Sequence, residues 1–190
     1  MKAAVMHGTQ KIVVEDIPTP EPGPNQVLVK IGYSALCGSD VHRFQYGMAN
    51  DSSVLGHEYI GEVVQTGRDV TRLKAGDRIV GGGGAPPAGT VLPSYPDDRY
   101  SARTVGIEAT RIGGFAEYIA MDEWRPLLIP DGVSDELAVL AEPASIAVHA
   151  VRTSKFKVGD TAVVMGAGPI GLLIMQVLKA AGAAQVIVSE

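Results

Sequence analysis

The stretch "TAVVMGAGPIGLLIMQVLKAAG", Thr161 to Gly182, decides the fold. It is apolar for long enough to raise the question of a membrane span. Four glycines and a proline interrupt it, its first apolar run is β-branched, and its second is rich in Leu, Ile and Met. Those preferences favour a strand, a turn and a helix over one spanning helix. The following "AQVIVSE" reads as a second strand, so the C-terminal part is expected to open a parallel sheet with a β-α-β unit beginning near Val158.

Upstream, "SDELAVLAEPASIAVHAVRTS" from Ser134 to Ser154 has helical periodicity, with Ser134 as N-cap. Pro143 is expected to divide it into two helices, with Glu142 pushed out of helical geometry by the proline that follows it. The first 130 residues read differently. Short strands "KAAVM", "KIVVEDI", "QVLVKIGYSALC", "GEVVQTG", "DRIVGG" and "FAEYIAM" are separated by the proline-rich "PTPEPGPNQ" and the tight turn "KAGDR". That spacing, without long helices between, predicts a compact barrel or sandwich. The chain is thus expected to be α/β overall, with residues 1–157 as one domain and 158–190 as the start of another. A doubly wound dinucleotide domain needs about six strands, so a second domain with two is expected to be truncated.

Composition narrows the partners. The chain is 46% hydrophobic and 19% charged, with a net charge of −5 and its charges mixed along the sequence. No basic stripe fits a nucleic-acid backbone, so neither nucleic acid nor membrane is expected as a partner, and small molecules are. One cysteine makes no internal disulfide, and "MKAAVMHGTQKIVVE" lacks the pattern of a signal peptide, which suggests the cytoplasm.

Gly166, Gly168 and Gly171 form G-x-G-x-x-G, with Pro169 and Ile170 inside it. The motif follows a strand and opens a helix, the context in which glycines give a tight turn and let backbone approach a pyrophosphate at a helix N-terminus. Glu190 stands where an acidic side chain accepts hydrogen bonds from ribose hydroxyls and repels a 2′-phosphate, so NAD is expected over NADP. A chain-terminal carboxylate without order is the plainer alternative.

The window "CGSDVHRFQYGMANDSSVLGHE", residues 37–58, holds the only cysteine and two of the four histidines. A thiolate, an imidazole and a carboxylate suit Zn²⁺, and Cys37, His57 and Glu58 supply that set. Singly, a cysteine and a histidine are more often a small buried hydrophobe and a core histidine. Here glycines flank both, and charged residues follow, which fits exposed turns. His7, in a turn, and His149, on an apolar helix face, read as structural.

"CGSDVH", "GHEYIGEVVQTG", "AGDRIV", "GGFAEYIA", "AEPASIAVHA" and "VVMGAGPIGLL" occur in an order that resembles zinc-dependent medium-chain dehydrogenases, the alcohol, sorbitol, threonine and butanediol dehydrogenase family. The resemblance covers nearly the whole chain. It implies a GroES-like β-barrel catalytic domain followed by a Rossmann NAD-binding domain, of which this chain holds the first β-α-β. It implies a zinc bound by Cys37 and His57, with Glu58 as a direct or alternating ligand and Glu142 where alcohol dehydrogenases proper have a cysteine; which glutamate ligates at rest stays open. Asp40 would orient the site. Ser39 and His42 would relay the alcohol proton to solvent, their plainer readings being a turn-capping hydroxyl and an exposed histidine. Glu142 is similar to the sorbitol and butanediol branch, which implies oxidation of a secondary alcohol, diol or polyol with hydride transfer to NAD. A homo-oligomer is implied at full length.

The sequence departs from the family in two places. Residues 81–112 carry none of the four cysteines of the family's structural zinc, so one zinc per chain is expected. Family members are also roughly twice as long, so the 190 residues alone are expected to turn over little or nothing. Two other readings stand beside the dehydrogenase: a zinc-free enzyme like the quinone reductases, and a half-length, non-catalytic binding or assembly module.

Overall fold

The computed structural model describes residues 1–47, 52–81 and 113–190. Beyond Gly81, the cysteine-free loop lies outside the described residues. The chain separates into two compact units, Met1–Val139 and Leu140–Glu190.

In the first unit, β1 (Lys2–Met6) and β2 (Ile12–Asp16) form an antiparallel hairpin in which Ala4 faces Val14. A five-stranded antiparallel sheet follows, in the order β6-β3-β4-β5-β7. Its strands are β3 (Gln26–Ala35), β4 (Glu58–Thr66), β5 (Arg78–Val80), β6 (Tyr118–Asp122) and β7 (Leu127–Leu128). The period of two explains the core. Val27 and Val29 of β3 meet Tyr59 and Val63 of β4 and Ile119 and Met121 of β6 on one buried side. The hairpin is tied on by the bridges Ala3 to Ala116 and Val5 to Val54, burying Ala3, Val5 and Val54 together.

All six strands read from the sequence are present, with shifted ends. β4 starts at Glu58, three residues before the expected Gly61, which puts Glu58 inside the sheet. β7 has two residues and no alternation to betray it. The window read as turns holds a helix, α1 (Gly38–Tyr46), closed by Gly47 in left-handed geometry at φ 66°.

The expectation for Pro143 is corrected. Two helices do form, α2 (Asp135–Ala138) and α3 (Ala141–Thr153), but the break falls at Val139 and Leu140. Pro143 lies in the first turn of α3, where a backbone N–H has no intrahelical acceptor to lose, and Glu142 is helical with it. Ser134 caps α2 as read, its Oγ accepting from the Leu137 N–H at 3.4 Å.

The second unit contains α3, β8 (Thr161–Met165), α4 (Pro169–Ala180) and β9 (Gln185–Ser189). β8 and β9 are parallel, with Val163 beside Ile187. Val151 of α3, Val164 of β8 and Leu178 of α4 share one core. That shared burial places α3 in the second compact unit, which begins at Leu140. Among the described residues no helix is long and apolar enough to cross a membrane.

Candidate metal centre and nucleotide loop

The register of two neighbouring strands builds the first site. Ala35 at the end of β3 pairs with Glu58 at the start of β4. Cys37 lies two residues past Ala35, and His57 one residue before Glu58, so both emerge at the same end of the sheet. The donor atoms of Cys37, His57 and Glu58 all lie within 4.8 Å of one another. Glu58 is buried, at 6% exposure, while Cys37 and His57 are half-buried. Gly56 makes the approach possible. It has φ 97°, and a Cβ there would stand 2.8 Å from the Phe115 ring and 2.9 Å from its backbone nitrogen.

Cys37 is the N-cap of α1. Its N–H donates to Asp40 Oδ2 at 3.1 Å, and the Asp40 N–H donates to the Cys37 carbonyl at 3.0 Å, so the two residues close the helix start on one another. The spacing Cys37-x-x-Asp40 resembles the S/T-x-x-E signature with cysteine in the first place, and it is the signal by which α1 could have been read. Asp40 is 2% exposed. Its other oxygen, Oδ1, lies 3.6 Å from His57 Nδ1, an ion-pair contact longer than a hydrogen bond, and has no hydrogen-bond partner among the described residues. One buried carboxylate therefore fixes the backbone of Cys37 and faces the ring of His57. Asp40 is the main reason the imidazole pKa is raised to about 9, against the opposing effect of burial and with a smaller contribution from Cys37.

A thiol, an imidazole and two buried carboxylates gathered in one place hold more potential negative charge than the one imidazolium offsets. The set fits a borderline-soft divalent cation. The other predicted residues are placed as follows. Ser39 is the second residue of α1 and exposed; His42, also exposed, packs edge-on against Tyr46 at 5.9 Å between ring centres. Glu142 belongs to the second unit and is not among the three clustered donors. Of the structural histidines, His7 pairs through Nε2 with Glu15 across the hairpin, and His149 is exposed on α3.

The second site is the turn between β8 and α4. Gly166 has φ 104°, which a side chain would strain. Gly168 is the N-cap, Pro169 the first residue of α4, and no side chain caps the helix, so its first N–H groups are left for an anion. At Gly171 a Cβ would lie 1.9 Å from the Gly166 carbonyl oxygen, so only glycine lets the helix start this close to the strand. Ile170 is partly exposed beside it. The Glu190 carboxylate accepts the Ala167 N–H, which holds it against the glycine turn.

Residues 23–131 match the alcohol dehydrogenase GroES-like domain. The whole chain is 37% identical over 211 residues to (R,R)-butanediol dehydrogenase of Bacillus subtilis, of which it covers 58%. It superposes on the crystal structure of 2R,3R-butanediol dehydrogenase from that organism with a TM-score of 0.84 at 35% identity, covering 100% of this chain and 57% of the other. A putative zinc-binding dehydrogenase from Sinorhizobium meliloti 1021, bound to NADP, gives a TM-score of 0.81 at 30% identity, covering 100% and 56%. Fold and sequence together place the chain in the medium-chain dehydrogenase family. The chain belongs to the zinc-type branch of that family, carrying its alcohol dehydrogenase GroES-like domain, and spans a little under three fifths of the length of these relatives.

Proposed function

We propose that this chain carries the metal-binding unit and the opening of the nucleotide-binding unit of a zinc-dependent oxidoreductase, which oxidises a secondary alcohol, diol or polyol with hydride transfer to NAD. The observation that carries the reading is the grouping of Cys37, His57 and Glu58 within 4.8 Å beside the buried Asp40. The B. subtilis relative named for butanediol supports a small diol or secondary alcohol as the substrate class.

Cys37 and His57 would hold the metal, with Glu58 as the carboxylate donor that the same unit supplies. Because Asp40 faces Nδ1 of His57, Nε2 is the nitrogen whose lone pair is left for the ion. Bound zinc supplies Lewis acidity that lowers the pKa of an alcohol, so that hydride can leave its carbon near neutral pH. The chain's own residues do the rest. Ser39 would relay the alcohol proton, giving up its own towards the cofactor ribose, and His42, one turn along α1 and exposed, would pass it from there to solvent. The Gly166 to Gly171 turn and the uncapped start of α4 hold the pyrophosphate, and Glu190 favours ribose hydroxyls over a 2′-phosphate. With Cys37 as the sole cysteine, the chain has no four-cysteine site, which supports a single zinc. We place the protein in the cytoplasm on the same scarcity of cysteine.

Zinc per chain, measured by elemental analysis on the purified protein, tests the reading. About one equivalent that disappears in Cys37→Ala supports it. A chain that takes up no zinc when metal is supplied in excess refutes it and favours the zinc-free alternative.

A further inference from the structure

We infer that the outer edge of the N-terminal hairpin is a self-association surface, through which two copies of this chain pair β2 against β2 in antiparallel register about Val13. The inference is independent of the metal and nucleotide sites.

The hydrogen bonds of β1 show which backbone groups of β2 are left over. The N–H groups of Ala4 and Met6 donate to Phe115 and Ser53, and the Lys2 and Met6 carbonyls accept from Glu117 and Ser52. The even residues of β1 therefore face away from β2, and the odd ones face towards it. In the register that pairs Ala3 with Glu15 and Val5 with Val13, the odd residues of β2 turn inward, as the bond from His7 N–H to the Lys11 carbonyl confirms. Ile12, Val14 and Asp16 then direct both backbone groups outward. Among the described residues β2 pairs with no other strand.

This edge lacks the usual protections. Three consecutive apolar residues, Ile12, Val13 and Val14, are exposed on it, Val14 to 66%, and none of its residues from Ile12 to Asp16 is a proline or lysine. The charges select the occupant. In "KIVVED", residues 11–16, the base precedes the apolar run and the acids follow it, so the segment is complementary to its own reverse. Centring a two-fold axis on Val13 sets Ile12 of each copy against Val14 of the other, with both backbone bonds exchanged in each pair. The same register puts Lys11 of each copy opposite Glu15 of the other, in the closer, non-hydrogen-bonded kind of pair. Lys11 is exposed and makes no ion pair among the described residues, whereas Glu15 already holds His7. On the remaining face, Val14 lines a shallow apolar groove with Ala4, Ile31, Gly32 and Phe115. The partner's Ile12, adjacent to Val14 in this register, covers that groove. The arrangement is isologous and closes on itself, so it gives dimers and not fibres.

Sedimentation equilibrium of the full chain, from micromolar to near-millimolar concentration, tests the pairing. The expected mass rises from 19.9 kDa towards twice that value. Lys11→Glu sets acid against acid twice over and weakens association by about tenfold or more. The double variant Lys11→Glu with Glu15→Lys restores it, because the pair is merely reversed. Val14→Pro removes an outward N–H that the hairpin does not use and abolishes association, with the far-UV circular dichroism unchanged. A wild-type chain that stays monomeric overturns the inference, its end charges then serving to keep the edge free. So does a dimer indifferent to Lys11→Glu and Val14→Pro, which would pair through another surface, or a double variant that fails to rescue.

Discussion

The metal centre and the glycine turn are built by opposite means. Gly166, Gly168 and Gly171 lie within six residues of one another, and their geometry follows from local backbone rules: a positive φ, a helix start, and a contact too tight for a Cβ. Cys37 and His57 are twenty residues apart in sequence and meet because Ala35 pairs with Glu58 in the β3–β4 register. A local device is robust to changes elsewhere in the fold. A device made by register inherits every error of the sheet that makes it, and here one buried carboxylate, Asp40, secures it against such error.

Removing a donor from the assembled site has the largest expected effect. Cys37→Ala takes zinc from about one per chain to a trace while leaving the thermal transition of the β8-α4-β9 unit in place. If that transition also falls, the two regions are less separate than their construction implies. The local site breaks under a smaller change. Gly171→Ala forces a Cβ against the Gly166 carbonyl oxygen and is expected to cost about 2–3 kcal/mol, measured by denaturant unfolding, with zinc content unchanged.

Asp40→Asn sharpens the contrast. The amide oxygen still accepts the Cys37 N–H, so the helix cap survives, but the charge facing His57 is gone. Zinc affinity, measured by competition with a chelator, is expected to fall about 10–100-fold, with helix content preserved. The smallest effect lies in the core of the first unit. The Tyr59 hydroxyl is buried, at 1% residue exposure, without a hydrogen-bond partner among the described residues, and burial pushes its pKa well above the usual phenol range. Tyr59→Phe is expected to be neutral or to stabilise by up to about 1 kcal/mol in equilibrium unfolding, since it removes a desolvated group and no contact. A clear destabilisation would mean that the hydroxyl has a partner such as a buried water.

Legibility followed the same division. The strands were readable because period-two burial writes itself into "QVLVKI" and "EYIAM", and the glycine turn because its constraint is confined to a few residues. Helix α1 was hidden by glycine, serine and aspartate, which read as turn formers until Cys37 and Asp40 are seen to cap one another. The break between α2 and α3 was misplaced because a proline in a first turn obeys the helix and a proline further in breaks it. The sequence does not state which turn that is.

By itself, then, the sequence determined the types of the longer strands and of the later helices, the glycine geometry of the nucleotide turn and the chemical character of the donor set, because each depends on residue type and near neighbours. Tertiary structure alone decided that Cys37, His57 and Glu58 converge, that Asp40 serves two of them at once, and that α3 belongs with β8 and α4. It also decided which backbone groups of β2 face outward. Those are questions of register and packing, set by which strand lies beside which and by how much apolar surface each contact buries, and a linear pattern carries no record of either.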